Sequence, residues 1–201
     1  MKFDTILAGV GGQGVLSMAA VIGRAAAQDG LRAKQSEVHG MAQRGGAVQA
    51  HLRVSDDVVE SDLIALGTAD LVLSLEPVEA LRYLAYLSPD GALITSSNPF
   101  RNITDYPDLP ALLARVRTLP RAIVVDAEQL ATQAGDVQAA NTVMVGAASH
   151  VLPMPPEALE DAIAAMYARK GPAVVELNRA AFRLGRGAAE AATAGAVEAG
   201  R

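Results

Sequence analysis

Six residues near the amino end, Gly9-Val10-Gly11-Gly12-Gln13-Gly14, constrain this chain more than any other segment. They follow a short apolar run, Phe3 to Gly9, and precede an Ala-rich helical stretch, Val15 to Gln28, with Gly30 as its stop. Strand, glycine turn and helix follow one another. Leu31 to Glu37 reads as a second strand, so the first forty residues predict a βαβ unit with a right-handed crossover. The G-x-G-x-x-G spacing in this context is that of a dinucleotide fingerprint: glycines let backbone N–H groups approach a phosphate at the positive end of a helix, and Glu37 can accept from a ribose hydroxyl. The same glycines serve equally a tight turn and close helix packing, which any doubly wound fold needs. Gln13 either orients a phosphate or closes the turn, and spacing alone leaves both readings open.

Residues 47 to 54 alternate, with Val48, Ala50, Leu52 and Val54 on one face and Gln49, His51 and Arg53 on the other. This predicts a strand with one face on the core and a polar face toward water or another subunit. Asp70 to Leu75 has a buried-strand pattern, Pro77 suits the first turn of a helix running to about Leu87, and Ser88-Pro89-Asp90-Gly91 turns the chain. Ala92 to Thr95 and Arg121 to Asp126 read as further strands, with helices over Ala111 to Val116 and Glu128 to Ala134. Asn141 is expected to cap a helix ending near Leu152, where Pro153, Pro155 and Pro156 break it. Two amphipathic helices follow, one with Leu159, Ile163, Met166 and Tyr167 on its apolar face and one with Val174, Leu177, Ala181 and Leu184. The expected fold is α/β, a Rossmann-like three-layer sandwich with a mostly parallel sheet and the C-terminal helices packed on it. It is expected to span residues 1–184, followed by a loosely ordered Ala/Gly-rich tail over 185–201.

Composition narrows the chemistry. With 51% hydrophobic residues but 3 Phe, 4 Tyr and no Trp, the core must be built from Ala, Val, Leu and Ile. A formal charge of −5 without a basic run excludes a nucleic-acid partner. The absence of cysteine excludes disulfides, thiolate catalysis, Cys-ligated zinc and Cys-bound iron–sulfur clusters. The opening Met1-Lys2-Phe3-Asp4-Thr5 does not read as a signal peptide and no apolar run approaches membrane length, so a cytoplasmic protein without a membrane partner is expected. His39, His51 and His150 are scattered, with no carboxylate at metal-ligand spacing, so no metal site is expected and no catalytic residue is assigned.

A second motif, Ser36-Glu37-Val38-His39-Gly40-Met41-Ala42-Gln43-Arg44-Gly45-Gly46, packs an acid, an imidazole, an amide and a guanidinium between glycines. Loops of this kind usually carry function. His39 can titrate near neutrality and Arg44 offers a planar fork for a carboxylate or phosphate. Alternatively, Arg44 pairs with Glu37 and His39 caps backbone groups, fixing the loop for subunit contact.

Four blocks in order, GVGGQGV, SEVHGMAQRGGAVQAHLRV, ADLVLSLEPVEALRYLAYLSPDG and NTVMVGAASHVL, resemble the small (beta) subunits of indolepyruvate ferredoxin oxidoreductases and the gamma domains of pyruvate and other 2-oxoacid ferredoxin oxidoreductases. The resemblance implies a heteromeric enzyme that oxidatively decarboxylates an aryl 2-oxoacid to an acyl-coenzyme A and passes electrons to ferredoxin. It further implies that thiamine diphosphate with Mg and the iron–sulfur (4Fe-4S) clusters lie on a large (alpha) subunit, that coenzyme A is co-substrate, and that this chain alone binds no cofactor. Carried over by motif, the candidate cofactor, substrate or interface loops are Gly9, Gly11, Gly12, Gln13 and Gly14, and Glu37, His39, Gly40, Met41, Gln43, Arg44, Gly45 and Gly46. The competing reading is a self-contained Rossmann-type oxidoreductase using NAD or FAD, which accounts for the first motif only. A stand-alone adaptor that kept the fold without its partner is the third.

Overall fold

A computed structural model of the chain describes residues 1–39, 45–101 and 104–199. Six strands, β1 (Lys2–Val10), β2 (Arg32–His39), β3 (Ala47–Ser55), β4 (Ala69–Ser74), β5 (Leu87–Ser96) and β6 (Ala122–Val125), form one sheet in the order β2-β3-β1-β4-β5-β6. β1, β4, β5 and β6 are parallel neighbours, while β3 runs against both β1 and β2. The helices α1 (Val15–Gln28), α4 (Ala127–Ala134), α5 (Ala140–Ala148), α6 (Pro156–Tyr167) and α7 (Pro172–Ala199) share one core with the face carrying Leu7, Leu52, Leu73 and Ile94. The other face, with Ile6, Val72 and Leu93, buries Ala80 of α2 (Pro77–Arg82), Ile64 of the β3–β4 connection and Val116 of α3 (Leu109–Arg117). The expected three-layer α/β architecture is what the chain forms. Because both faces of the central strands are covered, Ile6, Leu7 and Ala8 are all fully buried and β1 reads as an apolar run rather than an alternation.

The expected βαβ unit forms, in a split version. β1 and β2 do run the same way with α1 between them, but β3 is inserted between the two strands and pairs with each along eight or more residues. Both faces of β3 are largely buried, which corrects the expectation of a polar face toward water or another subunit. Gln49 is 9% exposed and His51 3%, so the polar side of the alternation does not face water. The connection after β3 folds back over it instead. Ile64 N–H donates to His51 Nδ1 at 3.0 Å, Arg53 donates to the carbonyls of Ser61 and Leu63, and Arg53 Nε meets the buried Asp4 carboxylate at 2.9 Å. The polar groups are therefore satisfied rather than solvated.

Further along, Ser88 to Gly91 are accommodated within β5 as an irregularity, since Leu87 pairs with Ala69 and Ala92 already pairs with Leu71. Asn141 is not the cap of α5. Ala139 holds that position after a short 3-10 turn over Val137–Ala139, and Asn141 sits in the first turn of the helix. The C-terminal helices pack largely on other helices rather than on the sheet: α7 lies mainly against α5, α4 and α6, and α6 against α1. Of the apolar face expected on α7, Ala181 is fully buried, while Phe182, Asn178 and Ala189 supply the rest of the buried surface. Gly185 does not begin a loose tail, because α7 continues through it to Ala199 and Ala189 is fully buried in the core.

Candidate functional site at the glycine turn

The turn from β1 into α1 lies at the carboxyl ends of the parallel strands, the edge where open α/β sheets bind ligands. Its glycines are there for different reasons. A Cβ at Gly9 would lie 2.9 Å from Val15 Cγ2 and 3.3 Å from Leu75 Cβ, so Gly9 is required for α1 and β4 to close on β1. Gly12 has φ 105° with nothing within 4 Å of its would-be Cβ, leaving backbone bare to the space outside. Gly14, at φ 93°, is the N-cap of α1 and supplies no side chain to the helix end.

Both hydrogen-bonding ends of the Gln13 side chain are occupied by backbone. Oε1 accepts from Val10 N–H at 2.7 Å and Nε2 donates to the Leu75 carbonyl at 3.3 Å, tying the end of β1 to the end of β4. Of the two roles left open for Gln13, closing the turn is the one its contacts perform.

The two motifs meet. Gly11 N–H donates to the Gly46 carbonyl at 2.8 Å and Gly45 N–H returns to the Gly11 carbonyl at 3.2 Å, so the end of the second loop is stitched onto the glycine turn. Glu37, on β2, lines a cavity of about 410 Å³ together with Gly11, Gly12, Gly14 and Leu16. The His39 backbone pairs with Val48 in the β2–β3 ladder. Gly40, Met41, Gln43 and Arg44 lie outside the described residues.

A second cavity of about 530 Å³ opens on the other side of the turn, between Gly12, Gly14, Ser96, Asn98, Phe100 and Asn141. The Ser96 hydroxyl donates to Asn98 Oδ1 at 2.7 Å, Asn98 Nδ2 donates to the Asp126 carboxylate at 3.0 Å, and Asn98 Oδ1 accepts from Glu128 N–H at 3.0 Å. Sequence reasoning missed Ser96, Asn98 and Asp126. The available signal was their position, polar residues at or just past the carboxyl ends of β5 and β6. Below them Glu76, 1% exposed, accepts from Tyr106 O–H and, through Oε2, from Glu79 N–H at 2.9 Å. Burial first, and then the Glu76 carboxylate, push the Tyr106 hydroxyl far above its ordinary range. Burial likewise raises the Glu79 carboxyl, against the opposing pull of Arg82.

The remaining histidines do not join the site. His51 is in the core, its pKa lowered by burial and then by Arg53, and His150 sits on the Arg186 carbonyl at 3.1 Å. No group of three or more metal-ligating residues occurs among the described residues, and a chain without cysteine cannot ligate an iron–sulfur cluster through thiolates. A thiolate-ligated cluster therefore does not fit this chain. The dinucleotide reading also loses its geometry. The fingerprint needs the acid-bearing strand beside the first, whereas β3 separates Glu37's strand from β1, placing them about 10 Å apart at two strand spacings.

Comparison with known proteins agrees with this arrangement. The family model described as pyruvate ferredoxin/flavodoxin oxidoreductase matches residues 4–188. The chain belongs to that family. Within this family, it is 37% identical over 194 residues to "Indolepyruvate oxidoreductase subunit IorB" of Archaeoglobus fulgidus, covering 92% of this chain and 94% of that one. Among solved structures, the keto/oxoacid ferredoxin oxidoreductase gamma subunit from Geobacter sulfurreducens PCA superposes with a TM-score of 0.69 at 28% identity, covering 94% of this chain and 99% of that one. A 2-oxoglutarate:ferredoxin oxidoreductase from Magnetococcus marinus, solved with 2-oxoglutarate, coenzyme A and succinyl-CoA bound, gives a TM-score of 0.75 at 20% identity. It covers 94% of this chain and 31% of that chain, and shows the shared fold alone. Among the described residues, no helix is long and apolar enough to cross a membrane.

Proposed function

We propose that this chain is the small subunit of a thiamine diphosphate-dependent 2-oxoacid:ferredoxin oxidoreductase acting on indolepyruvate or a related aryl 2-oxoacid. The observation that carries the proposal is the near end-to-end match, in both directions, to a subunit named for indolepyruvate oxidation. A larger cytoplasmic partner supplies thiamine diphosphate, Mg and the iron–sulfur clusters, coenzyme A is the acyl acceptor, and ferredoxin takes the electrons. The lack of cysteine in the sequence supports that division of labour for the clusters.

This chain's own contribution is shape and polarity at one edge. The glycine turn presents bare backbone, Gly45 and Gly46 hold the second loop against it, and Gln13 keeps the two strand ends in register. Within the second loop, Glu37, His39, Gly40, Met41, Gln43 and Arg44 face the partner or its ligands. Arg44 makes the charge-assisted contact to an anionic group.

The test is co-expression with a candidate large subunit carrying thiamine and iron–sulfur sites. A coenzyme A-dependent dye-reduction assay then runs over indolepyruvate, phenylpyruvate, phenylglyoxylate and alkyl 2-oxoacids. Turnover that needs both chains and prefers an aryl acid is expected. Turnover by the small chain alone, or stoichiometric NAD binding to it by calorimetry, would overturn the proposal.

A further inference from the structure

The sheet has two open edges, and they are built differently. β2, at one end of the strand order, carries Arg32, Lys34 and Glu37, and Lys34 Nζ is held to the Asp62 carboxylate at 2.8 Å. Charges along an edge strand deter further strands from pairing with it. β6, at the other end, reads Ala122-Ile123-Val124-Val125, without a charge or a proline, and its first three residues are half-buried. No side chain within β6 guards that edge.

The backbone of β6 is correspondingly unfilled on its outer side. In the parallel pairing with β5, Leu93 N–H donates to the Arg121 carbonyl at 3.2 Å and Ser97 N–H to the Val125 carbonyl at 2.8 Å. Alternate residues of a strand turn their peptide groups to opposite sides, so Arg121, Ile123 and Val125 address β5 while the N–H and C=O groups of Ala122 and Val124 point away from it. None of those outward groups has a hydrogen-bond partner among the described residues. A cavity of about 740 Å³ lies beside them, at the amino end of β6 and so at the opposite end of the strands from the glycine turn. Ile123, Val151, Ala192 and Ala194 give it apolar walls, and Arg117 and Arg121 also line it. Arg121 donates from Nη1 to the Asp90 carbonyl, but the ion pairs among the described residues use Arg53, Arg82, Arg179, Arg183 and Arg186 and neither of these two. Glu190 lines the same cavity and is already paired with Arg186 at 3.3 Å.

We infer that the free edge of β6 is a docking site for an extended, acid-bearing segment of the large subunit, which adds to this sheet as a further strand. The inference rests on the proposed subunit role. Backbone groups of Ala122 and Val124 supply the ladder, the cavity walls take apolar side chains on one face, and Arg117 and Arg121 meet the acids. A cationic edge on a chain of formal charge −5 selects an acidic partner. A second copy of this chain fits less well. Antiparallel pairing of two β6 strands about Ile123 would set Arg121 opposite Val125, and the next carboxylate, Asp126, is already engaged by Asn98 Nδ2 and by Gln129 N–H, each at 3.0 Å. Two such copies would leave the guanidinium groups without an acid.

The experiment is amide hydrogen exchange, read residue by residue, on the full chain alone and in complex with the co-expressed large subunit. The Ala122 and Val124 amides are expected to exchange at least about tenfold more slowly in the complex. Val124→Pro removes one outward N–H and no bond to β5, and is expected to weaken binding of the large subunit at least about tenfold while leaving the melting temperature of the free chain nearly unchanged. Arg117→Glu, on the surface, is expected to weaken binding most at low salt. Unchanged exchange at both amides in the wild-type complex overturns the inference, as does unchanged affinity in Val124→Pro or, should that variant not fold, in Arg117→Glu. Self-association of the free chain in sedimentation that slows the same two amides would make a second copy the occupant and overturn it as well. Failure of the wild-type chain to bind the large subunit at all would remove the proposed function together with this site, whereas a complex that turns over with both amides still exchanging freely removes the docking site alone.

Discussion

Gly146 on α5 lies against Phe182 on α7 so closely that a Cβ on the glycine would sit 2.0 Å from the Phe182 carbonyl oxygen. One turn back on α5 and one turn on along α7 the relationship is reciprocated, with a Cβ at Gly185 falling 1.9 Å from the Val143 carbonyl. The two backbones touch, and the contact fixes α7 across the core.

Gly185→Ala must therefore separate the helices, and a loss of about 3 kcal/mol is expected from overpacking against backbone that cannot yield. Gly187→Ala, on the same helix with nothing within 4 Å of the added carbon, is expected to stabilise by up to about 1 kcal/mol through helix propensity. Urea midpoints of the two variants check this. Equal effects would mean that the crossing is not closely packed.

His51 predicts a pH dependence of stability. Its native pKa lies below the ordinary 6.5 because burial, and then Arg53, disfavour the imidazolium, and Nδ1 already accepts from Ile64 N–H. The unfolded chain then binds more protons than the native one between the lowered value and 6.5, so stability falls as pH drops through that window. Glu79 acts with the opposite sign: its native pKa is raised above 4.5, so its contribution is lost as pH rises from 4.5 through the raised value. Thermal melts of the wild type and His51→Asn between pH 7.5 and 5.5 should show a fall in the wild type that is flattened in the variant.

Gln13→Glu keeps the acceptor for Val10 N–H and sets a carboxylate against the Leu75 carbonyl. A loss of about 1–3 kcal/mol is expected. Gln13→Ala, which removes both contacts, should be no milder. Denaturant unfolding reads this, and an unchanged midpoint in both variants would show that the bridge between β1 and β4 contributes nothing.

Arg44→Lys retains the charge and loses the planar fork. In the assembled two-chain enzyme, coenzyme A-dependent kcat/KM is expected to fall about tenfold, the worth of one charge-assisted hydrogen bond. Wild-type turnover and coenzyme A dependence in that variant would reject bidentate recognition.

Some of this molecule was legible in short stretches of sequence. Val10 to Gly14 read as a strand-to-helix turn because glycine spacing and helix periodicity are local signals, and Gly30 stops α1 with φ 77° as expected. The motif blocks identified the family, and the absence of cysteine excluded cluster ligation before any geometry was known. Two readings failed because the local pattern did not decide them. The alternation in β3 reported which residues share a face, but residues 56 to 66 decided whether the polar face meets water, as Ile64 on His51 shows. Asn141 looked like a cap because a lone Asn before an apolar run usually is one, whereas a 3-10 turn over Val137–Ala139 leads into the helix and leaves Ala139 in the cap position.

What the sequence by itself determined are the glycine turn, the positions of most strands, the family and the exclusion of thiolate chemistry. All of these depend on neighbours within a few residues or on composition. Only the tertiary structure decided that β3 separates β1 from β2, that α7 runs through Gly185 against α5, and that Gly11 and Gly46 are bonded to each other. These are choices among long-range pairings, whose energies come from burial and backbone contact between distant segments, and no local pattern encodes which distant partner wins.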